Sequence, residues 1–307
     1  VFFDLKKLGL VKNKNLLLIN KKTRDKKINV YRDIFSKIIF LEKYTTNINY
    51  YKKEKGSPRF KSKSITRFLG GKILKTSKIN FGKKKSSNRL NIVGDDYRRF
   101  EQFKKYLKNK NICDFGCGYA GFLTLCKKNS KKLFGVEINN YYLNYLNKKK
   151  NYIKVCNNID KFNEKFDVVT LFHVLEHMPN QISALKKIKK KLKKNGKIIV
   201  EVPHAKDFLF NQKNNQKFKD FIFWSEHLIL HTDKSIKAFL KKAGYKNIKV
   251  KFFQRYGFTN HLNWFQNGQP GGHELNKDIY DEKLENFYKK YLENYGYSDT
   301  LIAVASI

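Results

Sequence analysis

Residues 111–126 read NICDFGCGYAGFLTLC. A short apolar run ends at Asp114 and Phe115, glycines follow at 116, 118 and 121, and an apolar helical stretch begins. Strand, glycine turn and helix in that order make a nucleoside-binding unit when an acidic residue closes the next strand. KLFGVEI at 132–138 is that strand, and its Glu137 stands 21 positions after Gly116. A carboxylate there suits the two hydroxyls of a ribose. The stretch predicts a nucleoside-bearing cofactor.

Asp114 bears on which one. A dinucleotide would bring a doubly negative pyrophosphate to the glycine turn, and a carboxylate two residues before Gly116 opposes it. S-adenosylmethionine has no phosphate and carries a sulfonium and an ammonium on the same adenosine. Opposite charges a few ångströms apart in a partly desolvated cleft attract. The Asp114/Glu137 pair therefore favours S-adenosylmethionine over NAD. An NAD-dependent oxidoreductase would have to bind its cofactor despite Asp114.

Outward from this unit, helix and strand alternate. DDYRRFEQFKKYLKNK (95–110) sets Tyr97, Phe100, Phe103 and Leu107 at helical spacing. NYYLNYLNKK (140–149) reads as a helix and FDVVTLFHV (166–174) as a strand. QISALKKIKKKLKKNG (181–196) reads as a helix running to Gly196, with Leu185, Ile188 and Leu192 as its buried stripe. KIIVEVP (197–203), KNIKVKFFQRY (246–256) and DTLIAVASI (299–307) read as strands. TDKSIKAFLKKAGY (232–245) reads as a helix capped by Thr232 or Asp233 and stopped by Gly244. Alternation of this kind specifies an α/β fold, a doubly wound and largely parallel sheet with ligands at the strand C-termini.

At these motifs the sequence resembles a known family. CDFGCGYAGFL, GVEINN, FDVVTLFHVLEHMPN and LKKNGKIIVEVPH are similar to the successive motifs of class I S-adenosylmethionine-dependent methyltransferases. The resemblance covers about residues 95–256 and the closing strand at 300–307. It implies a Rossmann-like seven-stranded sheet whose last strand is antiparallel. It also implies that Asp114, Gly116, Gly118 and Gly121 form the turn at the methionine part and that Glu137 holds the ribose. Asn158 and Ile159 would lie by the adenine, with Phe172 and His173 on the methyl-donor side. Arg98 or Arg99 would pair the methionine carboxylate; Arg98 is the one carried forward.

His173-Val-Leu-Glu176-His177 also matches H-x-x-E-H, an inverted zinc-protease signature. That chemistry needs both histidines on one helix, whereas His173 ends a strand here and Pro179 closes the segment. No metal is expected on that reading. Enzymes methylating exocyclic amines of adenine resemble one another by an (Asn/Asp)-Pro-Pro-aromatic segment at this place. Phe172-His173-Val174-Leu175 departs from it, which argues against base methylation.

Two segments outside the shared motifs read as the acceptor side. HAKDFLF…FWSEHLILHT (204–232) holds His204, Trp224, Glu226, His227 and His231. RYGFTNHLNWFQNGQPGGH (255–273) holds Arg255, Tyr256, Asn260, His261, Trp264 and His273. Aromatic faces beside amides and imidazoles suit a polyhydroxylated acceptor. These phrases resemble those of bacterial methyltransferases of surface-polysaccharide and other sugar pathways. The four-cysteine zinc module of the related sugar C-methyltransferases is absent, which argues against C-methylation. A hydroxyl acceptor needs a general base, and His serves at neutral pH. His227 is the first choice, oriented by Glu226; His204 is the second.

The expected organisation is an N-terminal β-rich region (1–50), a flexible Lys/Gly/Ser-rich linker (51–94) and the methyltransferase domain (95–307). Substrate-side insertions fall at about 204–231 and 257–297. The formal net charge is +40, with 66 Lys+Arg of which only eight are Arg. Arg rather than Lys gives bidentate phosphate recognition. No Lys falls within 111–126, 168–185 or 255–276. The charge thus reads as a basic solvated surface, and a small-molecule or glycan acceptor is preferred to nucleic acid. An RNA-binding or RNA-modifying protein remains the second reading. Four cysteines in 307 residues are no disulfide framework. No apolar run reaches the length of a membrane span, and VFFDLKKLGL does not read as a secretion leader. A reducing cytoplasm is the expected location.

Overall fold

A computed structural model describes residues 2–44, 94–212, 215–272 and 277–307, together with the backbone of 67–69 and 72–74. The chain divides into two units. One comprises Asn47–Thr170 with Lys191–Gly196; the other comprises Val1–Thr46, Leu171–Lys190 and Lys197–Ile307.

A short helix α1 (Phe2–Lys7) opens the chain. Strands β1 (Leu16–Asn20), β2 (Val30–Asp33) and β3 (Ile39–Leu41) follow as an antiparallel meander. All three strands lie within residues 1–50, the stretch expected to be β-rich. The sequence pattern does not predict their fourth partner, since β3 pairs with a two-residue strand about 190 residues further on. The expected 51–94 linker falls outside the described residues, apart from the backbone of a two-stranded ladder, β4 (Arg67–Leu69) and β5 (Lys72–Leu74), and from Gly94.

Helix α2 (Gly94–Leu107) buries Phe100, Phe103 and Leu107 on one face. Three parallel strands follow: β6 (Asn111–Phe115), β7 (Lys132–Val136) and β8 (Ile153–Cys156). Helices α3 (Gly121–Cys126) and α4 (Asn140–Lys149) connect them. Strand β9 (Phe166–Phe172) runs parallel to β6. Phe134, Phe162 and Phe166 form an edge-to-face trio with centroids 5.0–5.7 Å apart. Such ring pairs add about 0.5–1.5 kcal/mol each beyond their burial.

Helix α5 spans Gln181–Lys190, so it stops six residues before the expected end at Gly196. Strand β10 begins at Leu192 and runs to Pro203. The Lys191 carbonyl accepts the N–H of Phe166, a sheet bond that withdraws it from the helix. The Lys191 ammonium donates to the Phe162 carbonyl at 2.6 Å. Asn195 takes φ 67°, which turns the chain just before Gly196. The expected apolar stripe holds, since Leu185, Ile188 and Leu192 are all buried.

After α6 (Gln216–Ile222) comes β11 (Ile229–Leu230), the partner of β3. Ile28, Val30, Ile39 and Leu41 pack with Phe210, Phe218, Phe223, Leu230 and Trp264 into one core. The N-terminal strands are therefore sealed by the 204–231 insertion. Helix α7 (Asp233–Lys242) starts in a capping box between Thr232 and Ser235 and buries Ile236, Phe239 and Leu240. Strand β12 (Lys246–Phe253), helices α8 (Phe258–Gln266) and α9 (Glu282–Asn294) and strand β13 (Thr300–Ser306) complete the chain.

The larger sheet has the order β12-β13-β10-β9-β6-β7-β8. Strand β13 is antiparallel to both β10 and β12. This is the Rossmann-like seven-stranded α/β sheet with an antiparallel last strand, accompanied by the small N-terminal sheet. Among the described residues no helix is long and apolar enough to cross a membrane.

Candidate functional site

In the unit of β6–β8 the glycine loop leaves β6 and bends sharply. Gly116, Gly118 and Ala120 all take positive φ, 80°, 51° and 54°. The N–H groups of Gly116 and Cys117 both donate to the Val136 carbonyl, at 2.7 and 3.1 Å. This draws the loop onto β7, and Gly135 permits the approach. A Cβ on Gly135 would stand 2.6 Å from the Cys117 sulfur. Lys150 buttresses the loop from behind, donating to the Tyr119 carbonyl and the Thr124 hydroxyl, both at 2.7 Å. Burial lowers its pKa to about 8.

The two acids expected at the cofactor are both here. Glu137 is 8% exposed. Its carboxylate accepts the N–H of Gly118 at 2.9 Å and that of Asn139 at 2.8 Å, joining the loop to the start of α4. Asp114 is 5% exposed and accepts the Thr170 hydroxyl at 2.6 Å. Burial pushes its carboxyl up to about 7, against the Thr170 bond and the Arg99 charge, which pull it down. Arg99 is thus the arginine whose field reaches Asp114 and is itself buried. Arg98, carried forward from the sequence, instead bonds Asp95 and Gln102 at 3.1 Å each. Asn158 caps a short turn by accepting the Asp160 N–H, and Ile159 is buried behind it.

In the other unit a second polar cluster forms after β9. His173 takes φ 54°, so the chain turns where the strand ends. Leu175–His177 is a single 3-10 turn, not the long helix of an inverted zinc protease. His173 lies between two fully buried carboxylates, Nδ1 3.2 Å from Glu176 and Nε2 3.2 Å from Glu201. Burial, the largest single influence on the ring, lowers its pKa; the bonds to Glu176 and Glu201 together outweigh it and raise the net value. Arg255 stands 3.5 Å from the same ring. Burial alone would raise Glu176, but its three histidine neighbours hold it down at about 2. His227 joins the cluster, its ring centroid 4.9 Å from that of His177, and Glu226 lies 3.9 Å from His177. The Leu228 N–H bonds the Glu176 carbonyl at 2.9 Å, which fixes the two segments side by side.

Other expected acceptor residues lie inside the fold. His204 is buried, 2.8 Å from the Ser298 carbonyl, and burial lowers it to about 4. His231 is buried between Ser235 at 3.0 Å and Gln181 at 2.8 Å, and burial lowers it to about 4. His261 is buried against the Tyr288 hydroxyl at 2.9 Å, and burial lowers it to about 3. Asn260 is buried, and Trp264 belongs to the N-terminal core. Trp224 receives the Arg24 guanidinium over its ring at 4.5 Å. Tyr256 is exposed, Phe172 is buried at the end of β9, and His273 lies outside the described residues. A buried histidine hydrogen-bonded inside the protein satisfies a core as well as a site, and His231, with both ring nitrogens engaged, is the fullest case. Thr170, Gly135, Glu176 and Glu201 were not singled out as site residues, and Arg99 was named only as the alternative to Arg98. H-x-x-E-H carried a signal for Glu176, and the others carried none without their partners.

A family model described as a methyltransferase domain matches residues 87–250, more than half of the chain. The chain belongs to the methyltransferase domain family. The methyltransferase is 33% identical over 127 residues to an uncharacterised protein of Methanocaldococcus jannaschii, covering 40% of this chain and 52% of that one. It is 26% identical over 191 residues to a tRNA U34 carboxymethyltransferase of Nautilia profundicola, covering 56% and 60%. The chain thus spans only about half to three-fifths of the length of these curated relatives. Among solved structures it is similar to an S-adenosylmethionine-dependent methyltransferase of Archaeoglobus fulgidus. That likeness has a TM-score of 0.47 and 18% identity, and covers 68% of this chain and 92% of that one.

Proposed function

We propose that this methyltransferase transfers the methyl group of S-adenosylmethionine to an oxygen of a small-molecule or glycosidic acceptor. The observation that supports the reading is the donor loop, where two buried carboxylates, Asp114 and Glu137, accompany the glycine turn. Burial holds the Asp114 carboxyl up to about 7, so it ionises near neutral pH and would do so more readily against a cation; the other unit separately holds a partly exposed histidine–carboxylate cluster. Asp114 would hold the methionine ammonium, with Gly116, Gly118 and Gly121 along the backbone of that part. Glu137 would take the ribose, with Asn158 and Ile159 by the adenine. Arg99, in place of Arg98, supplies a positive field for the carboxylate end.

The reaction is an in-line displacement. The acceptor oxygen forms the new bond to the methyl carbon, the sulfur–methyl bond breaks, and its electron pair stays on sulfur as a neutral thioether. The protein supplies alignment and exclusion of water. The hydroxyl proton must also leave, and the cluster of His177, Glu226 and His227 is the place for it. His227 with Glu226 is the best placed of the sequence candidates, because His204 is enclosed. Arg255 and Tyr256 remain the accessible acceptor-side residues. A role in surface-polysaccharide synthesis and a cytoplasmic location belong to this reading.

A second reading has one specific support, the likeness to tRNA U34 carboxymethyltransferases together with the charge of +40. On that reading the acceptor is RNA. Incubation with methyl-labelled S-adenosylmethionine and fractionated cell extract separates the two. Label in a glycan or small-metabolite fraction supports the first reading; label confined to RNA overturns it in favour of the second.

A further inference from the structure

Within one unit, three ligand-type side chains converge. One ligand atom each of Glu176, His177 and His227 lies within 4.8 Å of the others. Oε1 of Glu176 is 4.0 Å from His177 Nε2, too far for a hydrogen bond. Ligands placed tetrahedrally about 2.1 Å from an ion stand about 3.4 Å apart, so small side-chain movements would close the set on a metal.

The carboxylate is the telling member. Glu176 is fully buried, and its two oxygens have different fates. Oε1 is taken by His173 Nδ1 at 3.2 Å. Oε2 is buried with no hydrogen-bond partner. A buried, ionised carboxylate oxygen left bare is costly, and such an atom calls for an ion or a water. Behind Oε1, His173 is itself backed by Glu201 at 3.2 Å. An outer shell of this kind fixes the direction of a ligating carboxylate. The backbone bond from Leu228 to Glu176 then holds His227 beside it before any ion arrives.

We propose that Glu176, His177 and His227 bind one divalent transition-metal ion. Two imidazoles and a carboxylate suit zinc, manganese or iron better than calcium or magnesium, which prefer oxygen alone. Three protein ligands leave positions open for an oxygen from outside. An ion ligated by His227 uses the lone pair a general base would need, so the two roles exclude each other. On the ion reading, an ion held there would lower the pKa of an acceptor hydroxyl in an open position, and Glu226, 3.9 Å from His177, would take the proton. That last role rests on the methyl-transfer reading; the binding of the ion does not.

The test is a Co2+ titration of the full chain after metal stripping, without a histidine tag, followed by visible absorption and by competition with Zn2+. One equivalent of Co2+ with ligand-field bands of nitrogen and oxygen donors is expected. His177→Ala and Glu176→Gln should each weaken binding by about 10–100-fold or more. Because Glu176 is buried, Glu176→Gln could unfold, so the half-exposed His177→Ala carries the decision, with its fold checked by circular dichroism. No saturable binding, or binding unchanged in His177→Ala, overturns the proposal. S-adenosylmethionine binding is measured in parallel on the wild type. Its loss would sink the methyl-donor reading while leaving the ion site standing, and the converse result would do the opposite.

Discussion

Replacing Asp114 by Asn isolates the most unusual charge in the donor loop. The side chain keeps its shape and still accepts the Thr170 hydroxyl, but it cannot ionise. In the wild type the carboxyl titrates at about 7 in the folded chain against an ordinary 3.8. Between those values the native state holds one more proton than the unfolded state. Stability from this group is therefore full below pH 3.8 and falls as pH rises toward 7. The difference of about 3 pH units corresponds to ~4 kcal/mol at ~1.36 kcal/mol per unit. Urea unfolding of wild type and Asp114→Asn at pH 5 and pH 8 measures it. The variant should gain on the wild type by roughly 2–4 kcal/mol between those two conditions. Cofactor binding should move the other way. A cation at Asp114 requires the ionised form, so wild-type affinity for S-adenosylmethionine should rise about fivefold from pH 6 to pH 7. In Asp114→Asn that rise should vanish, and affinity at pH 7 should fall by about 10–100-fold. If the two proteins share one pH–stability slope, the carboxyl is not held as described. If the affinities match, Asp114 does not meet the ammonium.

Gly135→Ala should cost about 1–3 kcal/mol and weaken cofactor binding, because its Cβ would collide with Cys117 under the loop; thermal unfolding and calorimetry check both. Glu137→Ala frees the N–H groups of Gly118 and Asn139 and should lower cofactor affinity by at least tenfold, a loss of about 1.5–3 kcal/mol per charged hydrogen bond setting the scale. His231→Ala should destabilise by about 2–4 kcal/mol while leaving cofactor affinity unchanged, since its bonds to Gln181 and Ser235 are internal; an affinity loss would return His231 to the site. If RNA is not the acceptor, filter binding of bulk tRNA should be weak at about 200 mM salt; sub-micromolar binding there would favour the RNA reading.

The donor loop was legible because its residues are local. Gly116, Gly118 and Glu137 fall at fixed spacings along one strand–turn–helix–strand unit, and the geometry that joins them is short-range. The choice between Arg98 and Arg99 was not legible, since one residue along a helix rotates the side chain by about 100°. The fate of His204, His231 and His261 was not legible either. A histidine in an insertion looks the same in sequence whether it meets substrate or a buried serine. Only the pairing of β3 with β11 reveals that the insertion closes a core. The end of α5 was misread because Lys-rich residues 189–194 suit a helix by propensity, and a sheet bond to Phe166 overrides it.

That same pairing of β3 with β11 bears on how the chain is made. Strands β1 to β3 leave the ribosome before β11, and the segment that covers their apolar face arrives only with residues 205–230. A meander of three short strands without a cover is marginal in water. Until then it must wait with Val30, Ile39 and Leu41 unshielded while the strands between are made. Long-range closure of this kind slows folding and leaves the early segment open to misassociation. Translation stalled before residue 205 should therefore yield nascent chains that call on chaperones, and release past residue 230 should relieve them.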